Sequence, residues 1–144
     1  MSTRGIIAIK TTGKNWSGIY NHGDSYPTYL GKAIWQYFKE NGFGNLKKFL
    51  NRHPTGFSLF PDTCYCHDYD EGVDKTAIRS NGDVNGLEDY LYVIDPEGMD
   101  IHIFDIAKER VNFSEEEPDW VALEKRLNKK YKSSDTYTSY DDDE

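Results

Sequence analysis

Tyr90-Leu91-Tyr92-Val93-Ile94-Asp95, then Pro96-Glu97-Gly98, then Met99 to Ile106, is the stretch that decides the fold of this 144-residue chain. Two β-rich apolar runs are joined by a short Pro/Gly turn, the signature of an antiparallel strand pair. An upstream pair matches it. Arg4 to Lys10 reads as a strand, Thr11 to Asn15 with Gly13-Lys14 as a hairpin turn, and Trp16 to Tyr20 as the return, with Trp16, Gly18 and Tyr20 on one face. Helical periodicity follows from about Pro27 to Asn41, through Tyr29, Leu30, Ala33, Ile34, Tyr37 and Phe38. Proline suits its first turn and Gly42 its C-terminus. A shorter helix fits Asn45 to Arg52, and Thr55 to Phe60 suits a strand. Pro61 to Gly86 is polar and turn-rich. Ser114-Glu115-Glu116-Glu117 with Pro118 resembles a helix start, and Trp120, Leu123, Leu127 and Tyr131 form the apolar stripe behind it.

The resulting order, β-β-α-α-(β)-β-β-α, predicts an α+β fold: an antiparallel sheet with helices packed on one face. A single domain is expected over residues 1–131, and residues 132–144 are expected to be a disordered acidic tail. That tail sets Lys132 against Asp135, Asp141, Asp142, Asp143 and Glu144, half of the net charge of −8. An acidic chain lacks the basic footprint of non-specific nucleic-acid binding. No apolar run approaches the roughly 20 residues that span a bilayer. The N-terminus carries no signal-peptide pattern, and Cys64 and Cys66 are too few for a disulfide framework, so a reducing cytoplasm is expected. Homo-oligomers and host-protein partners stay open.

Chemistry concentrates in Tyr20-Asn21-His22-Gly23-Asp24-Ser25-Tyr26-Pro27, between a strand and a helix. Such a loop presents polar groups from fixed ends. The expected ligand-binding residues are Arg4, Tyr20, Asn21, His22, Asp24, Ser25 and Tyr26. His22 suits a general base with Asp24 as its orienter, although Asp24 and Ser25 are also good helix-capping residues. Arg4, at a strand start, needs an acceptor: a ligand phosphate or carboxylate, or Asp24 or Asp95. Lys32 and Arg79 could add positive charge. Trp16, Trp35, Tyr65, Tyr69, Tyr90 and Tyr92 offer faces for stacking a base. Cys64, Cys66 and His67 invite a zinc reading, but Cys-x-Cys has no second pair, so no metal and no cofactor are expected. Ser2 could serve as an N-terminal nucleophile after Met1 removal, though the chain is short for that class of hydrolase.

With these residues placed, the chain resembles a family of small phage and bacterial proteins. These open with a small residue and Thr-Arg-Gly, continue into Tyr-Asn-His-x-Asp-Ser-Tyr-Pro-x-x-Leu-Gly, and later carry Tyr-Val-Ile-Asp. Here the blocks are Ser2 to Gly5, Tyr20 to Gly31, and Tyr92 to Asp95. The resemblance implies a phage or prophage origin, hence the host cytoplasm, and a shared site near the N-terminus. It implies no particular activity. The expectation is a nucleotide-like ligand-binding protein that sequesters a host defence signalling nucleotide. The alternatives are a metal-independent phosphodiesterase or other hydrolase using His22 with His67 or Asp24, and an acidic inhibitor of a host defence protein.

Overall fold

The computed structural model describes residues 3–13, 15–53, 56–61, 63–64, 78–80, 89–103 and 107–134. The N-terminal hairpin forms as the sequence suggests. Strand β1 (Gly5–Lys10) pairs antiparallel with β2 (Trp16–Asn21), from Gly5 opposite Asn21 to Lys10 opposite Trp16. The turn is closed by Thr11 and Asn15 backbone N–H groups donating to the carbonyls of Asn15 and Thr12, both at 2.8 Å. A single π-helical turn, Pro27–Gly31, leads into α1 (Lys32–Asn51). Gly42 breaks α1 with φ of 87°, so the two helices expected on either side of it are two segments kinked at a left-handed glycine.

Short strands β3 (Phe57–Leu59), β4 (Thr63–Cys64) and β5 (Ile78–Ser80) follow, then β6 (Tyr90–Asp95) and β7 (Gly98–Ile103). Asp95 folds the β6–β7 turn by accepting the N–H groups of Glu97 and Gly98 at 2.8 and 2.9 Å. One further strand, β8 (Ala107–Asn112), was not foreseen: the run expected to continue from Met99 to Ile106 ends at Ile103, and a new strand begins at Ala107. Helix α2 (Trp120–Ser134) starts later than Ser114 and runs past residue 131. Asp119, whose carboxylate accepts the Ala122 N–H at 3.1 Å, supplies the N-terminal contact instead of Ser114. Residues 135–144 lie outside the described ones.

The fold is α+β. The sheet runs β4-β3-β2-β1-β6-β7-β8, with β5 also on β2. Most pairs are antiparallel, as expected, but β1–β6 and β2–β3 are parallel, so the sheet is mixed. Both helices pack on one face. There Ile7, Ile9, Tyr92, Ile94, Met99 and Ile101 meet Ile34, Trp35, Leu46, Leu50, Trp120, Leu123 and Leu127. The second face buries Ile6, Ala8, Trp16, Leu91 and Val93. Trp35, expected as a stacking platform, is a core residue edge-on to Trp120 and against Phe113. No helix among the described residues is long and apolar enough to cross a membrane.

Candidate functional site

Strand alternation divides the expected site between the two faces of the sheet. Asn21 sits opposite Gly5 and faces the helices; Tyr20 sits opposite Ile6 and faces away.

On the helix side, Asn21 and Ser25 are fully buried. The Asn21 amide donates to the Gly23 carbonyl at 2.8 Å and to Ser25 Oγ at 2.9 Å, while its oxygen accepts the Phe60 N–H at 2.9 Å. The Ser25 hydroxyl donates to the Asn21 carbonyl at 3.3 Å. Ser25 N–H donates to the Thr3 carbonyl at 2.9 Å, and the Ser25 carbonyl accepts the Tyr92 phenol at 2.5 Å. Every hydrogen of the Asn21 amide is thus spent inside the protein. The pair is a clasp joining the N-terminus, the loop, β6 and the chain after β3.

Close packing explains two glycines of the motif blocks, Gly5 against the clasp and Gly31 against α2. A Cβ on Gly5 would stand 2.8 Å from Ser25 Cβ, and a Cβ on Gly31 would stand 2.9 Å from the Trp120 ring. These residues are small because something is packed on them. Sequence reasoning took the block for a polar site; the spacing of Gly5 and Ser25 on strand and loop gave no signal that they touch.

Neither Asp24 nor Ser25 caps the following helix. Tyr26 stands at the N-cap position with no side-chain cap bond, and its carbonyl accepts the N–H groups of Tyr29 and Leu30 at 2.9 and 2.7 Å. Asp24 is exposed with φ of 48°, a left-handed conformation that aspartate tolerates. Tyr26 is 39% exposed, its ring edge-on to Tyr90 at 6.3 Å. Burial, with the Glu124 carboxylate adding to it, pushes the Tyr90 phenol up to about 12 despite a hydrogen bond to Asn128. Burial holds Tyr92 well above the ordinary phenol range as well, so both rings are neutral core phenols rather than open stacking faces.

On the other face, the Tyr20 hydroxyl and His22 Nδ1 are 2.8 Å apart. Extending the β1–β2 register by one residue sets Arg4 opposite His22. Arg4 Nε is buried and has no hydrogen-bond partner among the described residues. Of the two internal acceptors expected for it, Asp24 and Asp95, neither is recorded against its guanidinium among the described residues. Asp95 forms a two-pronged pair with Arg110, at 3.0 and 3.2 Å. Asp89 takes the Arg4 backbone N–H at 3.1 Å rather than the guanidinium. Asp24 makes no ion pair among the described residues.

Tyr65, Cys66, His67, Tyr69 and Ser2 lie outside the described residues, and Arg79 and Cys64 are described for their backbone alone. Among the described residues no group of three or more His, Cys, Asp or Glu is arranged to hold a metal ion. No family model, curated protein or solved structure matches the chain.

Proposed function

We propose that the protein binds a small nucleotide-like anion on the sheet face where Arg4, Tyr20 and His22 meet. The observation that carries this reading is the Arg4 guanidinium, partly withdrawn from water with a buried Nε that nothing among the described residues satisfies. A guanidinium cannot relieve that cost by losing its proton, and a phosphate or carboxylate fits its fork. Tyr20 fixes the imidazole of His22 at the adjacent register position, which supports a preorganised polar wall. The alternative is a hydrolase using His22 with His67 or Asp24; the Tyr20 phenol stands at His22 Nδ1, a position that an orienting carboxylate would take. The phage setting and the host cytoplasm rest on the resemblance of the sequence blocks, and sequestration of a host defence nucleotide is the role that a nucleotide-binding protein would have in that setting.

The test is mass spectrometry of ligand carried through purification of the folded protein, followed by calorimetric titration of mono-, di- and cyclic nucleotides. Arg4→Ala should cost about 30-fold or more in affinity, the scale of removing one partner of a buried charged contact, with the fold intact. Full affinity in Arg4→Ala places the ligand elsewhere. Turnover of a nucleotide that depends on His22 replaces binding with hydrolysis.

A further inference from the structure

A cavity of about 370 Å³ opens at the opposite end of β1, between the N-terminal hairpin and the second segment of α1. Ile7, Ile9, Ile19 and Leu50 form its floor, and Thr11, Thr12, Ser17, Lys47 and Asn51 are among the residues around it. It is separate from the Arg4 face. Arg4 and Ile9 are five residues apart on an extended strand, roughly 17 Å, and Ile9 faces the helices whereas Arg4 does not.

The lining selects a chemistry. Among the described residues no aromatic side chain lines the cavity to stack a nucleobase, and its floor is aliphatic. Among the described residues no carboxylate lines it either, in a chain of net charge −8. Lys47, Leu50 and Asn51 are spaced to share one face of the helix. Lys47 is exposed and makes no ion pair among the described residues. Lys10 also borders the cavity, but alternation directs its side chain to the face of Trp16. Lys47 near a helix C-terminus has an ordinary explanation, since cations there complement the helix dipole. That dipole opposes an anion beside Asn51. The carbonyls of Lys48, Phe49 and Leu50 are however occupied by the N–H groups of Arg52 and His53, and Thr11, Thr12 and Ser17 supply hydroxyl donors on the hairpin side.

We infer that this cavity is a second binding site, for a small amphiphilic anion with an aliphatic body on the isoleucine floor and one anionic head between Lys47 and the hairpin hydroxyls. The volume lies at the lower end of the roughly 300–1,000 Å³ of small-molecule sites, which suits a short chain rather than a long lipid.

Calorimetric titration of the full chain with octanoate, octanol and octyltrimethylammonium tests it. Octanoate should bind at least about tenfold more tightly than octanol, the scale of one hydrogen bond to a charged group, and the cation should not bind. Lys47→Glu should lose that advantage, whereas Lys48→Glu, the same charge change outside the lining, should leave octanoate affinity within about twofold. Ser17→Trp should fill the cavity and exclude octanoate and octanol together. No octanoate binding at millimolar concentration overturns the inference. So does equal loss in the two lysine variants, or full affinity in a folded Ser17→Trp protein.

Discussion

Asn21 holds the backbone N–H of Phe60 across 39 positions of sequence, with 2.9 Å between Oδ1 and N. It does so from the last residue of β2, while its amide hydrogens lock the loop that follows. A side chain at the centre of a candidate ligand site is therefore a structural tie.

Asn21→Ala should destabilise the protein by about 3 kcal/mol, since it strands the buried Phe60 N–H and takes a donor from the Gly23 carbonyl and from Ser25 Oγ. Chemical denaturation measures this directly. His22→Ala, on the other face, should cost well under half as much. Similar losses in the two variants would mean that the clasp is not the element holding the loop.

The same substitution should have opposite signs at two glycines. Gly31→Ala drives a methyl into the Trp120 ring at 2.9 Å and should cost about 1–3 kcal/mol. Gly44→Ala meets nothing within 4 Å, and alanine in a helix should stabilise by about 0.5–1 kcal/mol. Thermal melts of both variants, with Trp120→Leu in the Gly31→Ala background to relieve the overlap, decide the point.

Acid should weaken the fold through two carboxylates. Burial alone would raise Asp95, but Arg110 and the N–H groups of Glu97 and Gly98 outweigh it and hold the pKa below 3.8. Burial would also raise Glu109, and Lys130 and Arg126 hold it below 4.5. Groups with depressed folded pKa values contribute their stability above the unfolded values and lose it as pH falls through the folded ones. The urea midpoint should thus drop from about pH 5 downward. Each pair is partly exposed and worth roughly 1 kcal/mol or less. Asp95→Asn should be less stable at pH 7 and show a shallower acid slope.

Alkali should act through the core phenols. A Tyr90 pKa raised from 10.0 to about 12 means that the folded state holds this proton more tightly than the unfolded chain. The stability is full below pH 10 and is lost as pH rises toward 12. Absorbance at about 295 nm should show the phenolates of Tyr90 and Tyr92 appearing late and together with unfolding. Tyr90→Phe should move the alkaline transition upward; an unchanged transition would mean that Tyr90 ionises in the folded state.

Local signals were legible in the sequence and long-range ones were not. Gly42 marked a helix end because its conformation is a property of one residue. The β6–β7 turn was readable because Asp95 serves groups two and three positions ahead. Strand β8 was missed because Ala-Lys-Glu-Arg-Val-Asn is polar; its charges are matched by Asp95, Asp100, Arg126 and Lys130 from elsewhere in the chain. The loop at Tyr20–Tyr26 was recognisable as dense in polar groups. Its division between two faces was not, since it depends on which of the neighbours Tyr20 and Asn21 turns toward the helices. Arg4 was legible as a charge at a strand start that needs an acceptor, but that its Nε is buried without a partner among the described residues is a fact of packing.

The parallel pairing of Gly5 with Tyr90 has a consequence for synthesis. The strand at the middle of the sheet leaves the ribosome before the other strands described, and its second neighbour follows 85 positions later. At roughly 5–20 residues per second that is a delay of roughly 4–17 s. Through that interval Ile6 to Ile9 can pair only with β2, and the other flank of the strand stands open to any extended chain nearby. A nascent chain in this state is a natural client for chaperones. A chain ending before Tyr90 should aggregate, while one carried through Ile103 gains the two strands that close this edge.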